Sequence, residues 1–279
     1  MTAATRWPAP AKLNLFLHVT GRRADGYHDL QTIFQLIDLS DDIHIAVRAD
    51  GRIQRLAGPE EVPAEADLTV RAARALQAAT GSRLGADLSV TKRIPMGGGL
   101  GGGSSDAATV LVALNRLWGC GLSEDDLAAI GVKLGADVPV FVRGRSAWAE
   151  GRGERLTPVD LPECCFVLVH PQVHVPTAAV FQAPELTRNS PPITMGGFLR
   201  SGGRNDFEPV VRVRYPEVAR ALDWLGHFAP ARLTGTGSCI FAPCAAEDEA
   251  QDIVMRVPAP WRGMVARGVN VSPLLALRA

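Results

Sequence analysis

Residues 95–105 read PMGGGLGGGSS, and this glycine-rich stretch joins two segments of different pattern. Before it, LSVTKRI (88–94) has the pattern of a β-strand, and after it AATVLVALNRLW has that of a helix opened by Ser104 or Ser105. Glycine lets backbone N–H groups approach a ligand, and a helix N-terminus adds unpaired donors and partial positive charge. The order strand, loop, helix therefore predicts a phosphate-binding loop, with a flexible linker as the alternative.

The loop differs from two common nucleotide motifs. Gly98 to Ser105 has the Walker A spacing, but Ser104 stands where that motif needs lysine. A dinucleotide fingerprint also fits residues 97–102, yet the acidic residues that follow, at 124–126, fall on a helix start. A loop without its own cation needs Mg²⁺ and distant basic residues to balance a triphosphate, and no metal ligand is assigned.

We assign nucleotide binding to the whole glycine-rich stretch. It comprises Pro95, Met96, Gly97, Gly98, Gly99, Leu100, Gly101, Gly102, Gly103, Ser104 and Ser105. The role of Asp106 is left open, because a carboxylate beside phosphates repels them unless it faces away or lies near the metal.

Composition predicts a globular cytoplasmic protein. The 279 residues suggest two domains, and 47% hydrophobic with 21% charged residues is typical of a globular protein. Because 29 basic residues balance 29 acidic ones, we expect neither nucleic acid nor a membrane as partner. The five cysteines are odd in number without a C-x-x-C pair, so we interpret them as reduced thiols with no structural zinc.

Periodicity predicts an α+β fold with a boundary near residue 155, giving domains 1–155 and 156–279. Predicted strands are 13–19, 41–47, 88–94, 136–144, 164–170 and a glycine-interrupted 231–243. Predicted helices are 67–80, the run after the glycine loop, 125–134 with Ser123 and Asp126 as a capping box and Gly135 at its end, 218–228 and 246–257.

The glycine stretch, extended to PMGGGLGGGSSDAA, resembles the second motif of the GHMP kinases. Four further blocks in matching order extend the resemblance: 9–35, 134–141, 204–209 and 232–241. The resemblance implies a ribosomal-protein-S5-like N-terminal domain, a ferredoxin-like C-terminal domain and an active site in the cleft between them. It also implies ATP as phosphoryl donor. We further expect Mg²⁺ as cofactor and a monomer or weak homodimer.

Within the family, GYHDLQT (26–32) implies a particular acceptor. This would be the 2-hydroxyl of a cytidine-diphosphate-linked methylerythritol, in the non-mevalonate isoprenoid pathway. The catalytic lysine and aspartate of the family fall on Lys12 and Asp137. Two alternatives stay open: another GHMP kinase of the homoserine or mevalonate type, and a non-catalytic nucleotide- or RNA-binding module, which the zero net charge disfavours.

The residues themselves are compatible with catalytic roles. Asp137 precedes the apolar VPVFV and suits a proton acceptor, although it could instead cap a short helix with Pro139 in its first turn. Lys12, at a strand start, is a solvated lysine or a partner of Asp137 or of the transferred phosphoryl group. Asn14 lies on the same face of that strand.

A pocket for a base is predicted around Tyr27 and His28. The aromatic ring would stack and the imidazole would bond the base edge, whereas a packed tyrosine and a surface histidine are the alternative. By the family resemblance Phe181 closes the other face of the base, with Val175 and Thr177 beside it. The turn 235–238 either approaches the phosphates or is a simple bulge.

Overall fold

The computed structural model describes residues 3–277 as an α+β fold. The strands are β1 (Thr5–Arg22), β2 (His28–Arg48), β3 (Ile53–Ala57), β4 (Gly85–Thr91), β5 (Ala147–Gly151), β6 (Arg155–Pro158), β7 (Cys165–His170), β8 (Arg232–Leu233), β9 (Ile240–Cys244) and β10 (Arg262–Val269). The helices are α1 (Leu68–Thr80), α2 (Gly102–Leu117), α3 (Glu124–Gly131), α4 (Val138–Arg143), α5 (Thr177–Phe181), α6 (Met195–Ser201), α7 (Glu208–Arg214), α8 (Pro216–Gly226) and α9 (Glu247–Val254). A 3₁₀-helix follows at Pro273–Leu277.

The long strand β2 organises the sheet. It pairs antiparallel with β1 along most of its length, with β4 at one end and with β5 at the other. Strand β10 joins it through Gly268 and Val269, and then pairs with β7 of the second half. The path β3-β4-β2-β10-β7-β9-β8 is therefore continuous, so the last strand fixes the two halves of the chain to each other.

Two main hydrophobic cores lie against this sheet. The first contains seven apolar residues of α2 between 107 and 114, because residues 105–114 of this helix are all buried and it packs between α1, α4 and β1. The second forms where α7 and α8 cover β7 and β9. The cleft that carries the candidate site lies where the glycine loop of the first half meets the second half.

Most predicted elements are confirmed with shifted ends. Helix α1 has Asp67 as its N-cap and left-handed Gly81 at its end, and the Ser123–Asp126 capping box is present. The strands at 13–19, 41–47 and 164–170 lie within β1, β2 and β7. Strand β4 ends at Thr91, and 231–243 divides into β8, a turn and β9.

Three predictions of local structure are wrong. Residues 138–143 form helix α4 instead of a strand, since Pro139 suits a first helical turn and Gly144 ends the helix in a left-handed conformation. Helix α2 begins at Gly102, before both serines, because left-handed Gly101 is its N-cap. Helix α3 ends at Gly131, and Gly135 closes the following turn.

The division at residue 155 stays a prediction. It coincides with the start of β6, which pairs with β5. Between residues 3 and 277, no helix has both the length and the apolar character needed to cross a bilayer.

Candidate functional site

Three adjoining cavities form one continuous cleft. The loop cavity, of about 240 Å³, lies between the glycine loop and the start of α1. The central cavity, of about 430 Å³, shares Leu68, Gly97 and residues 101–103 with it. The outer cavity, of about 490 Å³, is lined by Tyr27 and His28 and adjoins the central one. The predicted loop and base pocket are thus the two ends of the same cleft.

The glycine loop fits closely against the second half of the chain. Gly99 has φ +75°, and a Cβ there would lie 2.2 Å from the carbonyl oxygen of Thr234. The amides of Ser238 and Cys239 donate to the carbonyls of Gly97 and Gly98 at 3.3 and 3.1 Å. The turn 235–238, whose role the sequence left open, therefore supports the backbone of the loop. There is no room for an alanine side chain at position 99.

The eleven loop residues do not all reach the cleft. The loop cavity or the central cavity is lined by Pro95, Met96, Gly97, Gly99, Gly101, Gly102, Gly103 and Ser104. Leu100 is 1% exposed in a hydrophobic cluster, Ser105 is fully buried, and Gly98 packs on the Cys239 sulfur. These three residues support the loop from behind, and their contact with a nucleotide stays a prediction.

Lys12 is buried at the centre of the site. A register shift in β1 lies between Pro10 and Lys12, and the Lys12 side chain lines the central cavity. Its Nζ donates to Asn14 Oδ1 at 2.6 Å and to the Gly99 carbonyl at 2.9 Å, and it lies 3.4 Å from an Asp137 carboxylate oxygen. The solvated alternative is wrong, since Lys12 is only 3% exposed. One ammonium thus connects the candidate base to the loop.

Asp137 occupies the N-cap position of α4 but does not cap it. Its side chain makes no bond to the backbone of the first turn, so the capping alternative is wrong. The carboxylate is 32% exposed, lines the central cavity and has Lys12 as ion-pair partner. A partly solvated carboxylate facing a cavity beside the glycine loop is placed to accept a proton from a ligand.

Asn14 connects β1 to both sides of the cleft. Its amide side chain donates to Thr32 Oγ1 at 3.0 Å, and that hydroxyl donates to the Phe16 carbonyl. Its backbone N–H donates to Thr234 Oγ1 at 2.9 Å. Because both of its side-chain polar atoms are used internally, Asn14 holds Lys12 in position, as well as lining the central cavity.

A second lysine, half-buried, lies behind the loop. Lys92 Nζ pairs with Asp106 at 2.7 Å and with Asp41, and it borders the loop cavity. Burial raises the pKa of the Asp106 carboxyl to about 7; the Lys92 ammonium opposes this shift and the Asp41 carboxylate adds to it. The pKa of Lys92 itself is raised, because the two carboxylates outweigh the lowering effect of burial. Asp106 therefore meets a cation, which limits its repulsion of phosphates.

The outer cavity brings the predicted base-binding side chains together. The His28 and Phe181 rings lie 5.2 Å apart at 34°, and Arg188 Nε donates to His28 Nε2 at 3.1 Å. Burial lowers the pKa of His28, and the charges of Arg188 and Arg22 lower it further. Tyr27 is 51% exposed, so the buried alternative for it is wrong.

The last two predicted residues, Thr177 and Val175, differ in whether they line a cavity. Thr177 lines the central cavity, and its hydroxyl lies 3.0 Å from that of Thr236 in the turn of the second half. Val175 is 2% exposed, packs in the second core and lines none of the three cavities, so its assignment to the base pocket stays a prediction that its packing does not support.

Several site residues were missed from the sequence. They are Thr32, Lys92, Arg152, Arg188 and Thr234. One signal was available: only three of the 29 basic residues are lysines, and two of these, the buried Lys12 and the half-buried Lys92, lie at the site. The other missed residues reach the site through contacts between distant parts of the chain, which local patterns do not reveal.

The residues around the loop fit a metal that is bound mainly through a ligand. Across residues 3–277 there is no cluster of three or more His, Cys, Asp or Glu side chains suited to a metal ion. Mg²⁺ is commonly bound through one or two carboxylates, waters and substrate phosphates, so such a cluster is not required. The Asp106 Oδ1 atom is buried without a hydrogen-bond partner, and Asp106 is one of the residues that line the loop cavity.

Comparison with known proteins identifies both halves of the chain. Residues 67–145 match the GHMP kinases N terminal domain, and residues 185–263 match the GHMP kinases C terminal domain. The chain is 58% identical over 275 residues to a 4-diphosphocytidyl-2-C-methyl-D-erythritol kinase of Alkalilimnicola ehrlichii, covering 99% of this chain and 94% of that protein. A kinase of the same name from Halorhodospira halophila is 58% identical over 277 residues, with 98% and 96% covered.

A solved structure supports the same relationship. The crystal structure of a 4-(cytidine 5'-diphospho)-2C-methyl-D-erythritol kinase superposes with a TM-score of 0.83 at 34% identity, covering 95% of this chain and all of the other. The likeness therefore extends over both halves of the chain.

Proposed function

The chain belongs to the GHMP kinases, and from that premise we propose that it transfers the γ-phosphoryl group of ATP to the 2-hydroxyl of 4-diphosphocytidyl-2-C-methyl-D-erythritol. The observation that carries the proposal is the continuous cleft, which has a glycine loop at one end, a base pocket at the other and the Lys12–Asp137 pair between them. The products are ADP and a phosphate monoester, within the non-mevalonate isoprenoid pathway. We expect a monomer or weak homodimer.

The glycine loop and the N-terminus of α2 bind the phosphates in this proposal. The first amides of α2 have no partner within the helix, and they open on the loop cavity and the central cavity. When bound, Mg²⁺ would neutralise charge on the phosphates. The Ser104 hydroxyl and the Asp106 carboxylate are the groups of this chain that would hold it. The loop itself supplies position and dipoles but no cation.

Asp137 acts as the proton acceptor. As the 2-hydroxyl oxygen forms its bond to the γ-phosphorus, its proton passes to the Asp137 carboxylate and the bond from phosphorus to the ADP oxygen breaks. Lys12 orients the carboxylate and fixes the Gly99 carbonyl, so acceptor and donor keep one geometry. In this arrangement its N–H groups are directed at the chain, so Lys12 acts first by positioning.

In this proposal His28 is a neutral imidazole that forms a hydrogen bond with the base. Its Nε2 accepts from Arg188, so the ring proton resides on Nδ1 and can be donated to a cytosine acceptor atom. The rings of Tyr27 and Phe181 provide the stacking surfaces. A homoserine or mevalonate kinase has no base in its acceptor and therefore no need of this pocket, which favours the cytidine-linked substrate.

The proposed acceptor is tested with a panel of alcohols. ADP release is measured with ATP, Mg²⁺ and, in turn, the cytidine-linked methylerythritol, free methylerythritol, homoserine and mevalonate. We expect turnover with the first compound only. Preferred turnover of homoserine or mevalonate would replace the proposal with a different GHMP kinase activity.

The Tyr27→Ala variant should bind the acceptor more weakly. Stacking on an aromatic ring contributes about 1–3 kcal/mol per base, so we expect the KM for the acceptor to rise about tenfold or more with kcat little changed. Steady-state kinetics give both values, and the KM for ATP is an internal control. Tyr27→Phe retains the ring and should resemble the wild type; an unchanged KM in Tyr27→Ala would exclude stacking.

Acceptor binding should weaken at acidic pH through His28. The folded-state pKa lies below the ordinary 6.5, so the neutral ring predominates at neutral pH and is lost as the pH falls through that lowered value. The imidazolium cannot accept from Arg188, and two cations would then meet. The dissociation constant of cytidine, measured from about pH 8 to about pH 5.5, should rise on the acidic side. His28→Gln should flatten this limb; a limb that persists in this variant would contradict the role.

A further inference from the structure

The outer cavity carries a local positive charge that the whole chain does not. Three arginines line it, Arg22, Arg152 and Arg188, and its lining contains no acidic residue. The chain as a whole has a formal net charge of zero. Arg188 is already engaged, since it donates to the carbonyls of Phe181, Ala183 and Leu186 and to His28. The guanidinium donors still available to a ligand in this cavity therefore belong to the other two arginines.

Arg152 lies at the junction between the outer and central cavities. Four residues line both: Leu30, Ala136, Arg152 and Phe181. Arg152 is the one charged residue of the four. On its outer side lie Tyr27 and His28, and on its inner side Asp137. A ligand that reaches from the base pocket to the Asp137 carboxylate has to pass this guanidinium.

The guanidinium of Arg152 is held in place with its hydrogen-bond donors available. Its central carbon lies 3.6 Å from the centroid of the Tyr27 ring, so one face stacks on the aromatic side chain. Within residues 3–277 it has no carboxylate ion-pair partner, and the backbone N–H of Arg152 donates to Glu154 Oε2 at 2.6 Å. Stacking occupies the face of the group and leaves its in-plane N–H groups free, the arrangement that suits bidentate binding of phosphate oxygens.

We propose that Arg152 binds the diphosphate of the acceptor and selects acceptors in which a diphosphate separates a base from the reacting hydroxyl. This inference rests on the proposed function, whose substrate has its groups in the order base, ribose, diphosphate and methylerythritol. That order matches the cleft, with Tyr27 and His28 at one end, Arg152 in the middle and Asp137 at the other end.

Arg152 also fixes the Tyr27 ring, so the test has to separate the two roles. Dissociation constants of CDP and of cytidine are measured by calorimetry, in the presence of a saturating non-hydrolysable ATP analogue. In Arg152→Gln we expect CDP to bind about tenfold more weakly and cytidine to bind within about twofold of wild type. Arg152→Lys should recover part of the CDP affinity, because it restores the charge without the planar fork.

The control is Arg155→Gln, in the same β5–β6 hairpin. Arg155 has a side chain 68% exposed and lines none of the three cavities, so its loss should leave both constants unchanged. Equal weakening of CDP and cytidine in Arg152→Gln would mean that Arg152 only supports Tyr27, and no weakening of CDP would remove the diphosphate role. Failure of the wild type to bind CDP would instead overturn the proposed function.

Discussion

The Asp137→Asn variant is expected to lose about a thousandfold in kcat while it binds ATP as the wild type does. The asparagine has the same shape, but its amide cannot accept the proton of the acceptor hydroxyl. ATP affinity should be retained because Asp137 makes no hydrogen bond to the glycine loop and caps no helix. Single-turnover transfer and nucleotide titration, on the same preparation, measure the two quantities.

The matched control for this variant is Asp160→Asn. Asp160 is exposed and lines none of the three cavities, so the same chemical change there should leave kcat unaltered. Full activity of Asp137→Asn would remove Asp137 as the proton acceptor. A parallel loss of ATP binding would show that the carboxylate organises the loop.

Lys12→Met is expected to impair both catalysis and nucleotide binding. Loss of the ammonium removes the partner of Asp137 and leaves Asn14 Oδ1 and the Gly99 carbonyl without their donor. We expect kcat to fall about a thousandfold, since groups that stabilise developing charge contribute about 10²–10³. The KM for ATP should also rise, and the free energy of unfolding should fall by about 2 kcal/mol because buried acceptors lose a hydrogen bond.

The control for the lysine is Lys133→Met, because Lys133 is exposed and lines no part of the cleft. Chemical denaturation and steady-state kinetics with varied ATP separate the effects of Lys12→Met. If only kcat falls, and both the KM for ATP and the stability stay at their wild-type values, then Lys12 acts on the phosphoryl group and not by holding Gly99.

The parts of the fold that the sequence predicts well are those with local causes. Asp67 and Gly81 bound α1 because a carboxylate caps a helix start and glycine adopts the left-handed conformation at its end. Likewise, the loop between β4 and α2 follows from its glycines. Helix α4 was mistaken for a strand because a short apolar run suits a strand and a buried helix equally, and only packing against α2 and α3 decides between them.

In the candidate site, too, the sequence predicts the features with local causes and misses those that depend on packing. Lys12 and Asp137 were assigned through family motifs, but their proximity depends on the register of β1 and on the start of α4, which no local pattern specifies. Val175 was placed in the pocket although its side chain packs in the second core. Arg152 gave no signal, because one arginine among many is distinguished only by the two cavities that it joins.

The most direct test of the account is the position of the new phosphate in the product. Wild-type protein is incubated with ATP, Mg²⁺ and the cytidine-linked methylerythritol, and the product is examined by phosphorus and carbon nuclear magnetic resonance. The account predicts one new phosphomonoester signal, coupled to the carbon that bears the 2-hydroxyl, together with one ADP for each product. A phosphate on a different hydroxyl, or ADP release without a phosphorylated acceptor, would contradict it.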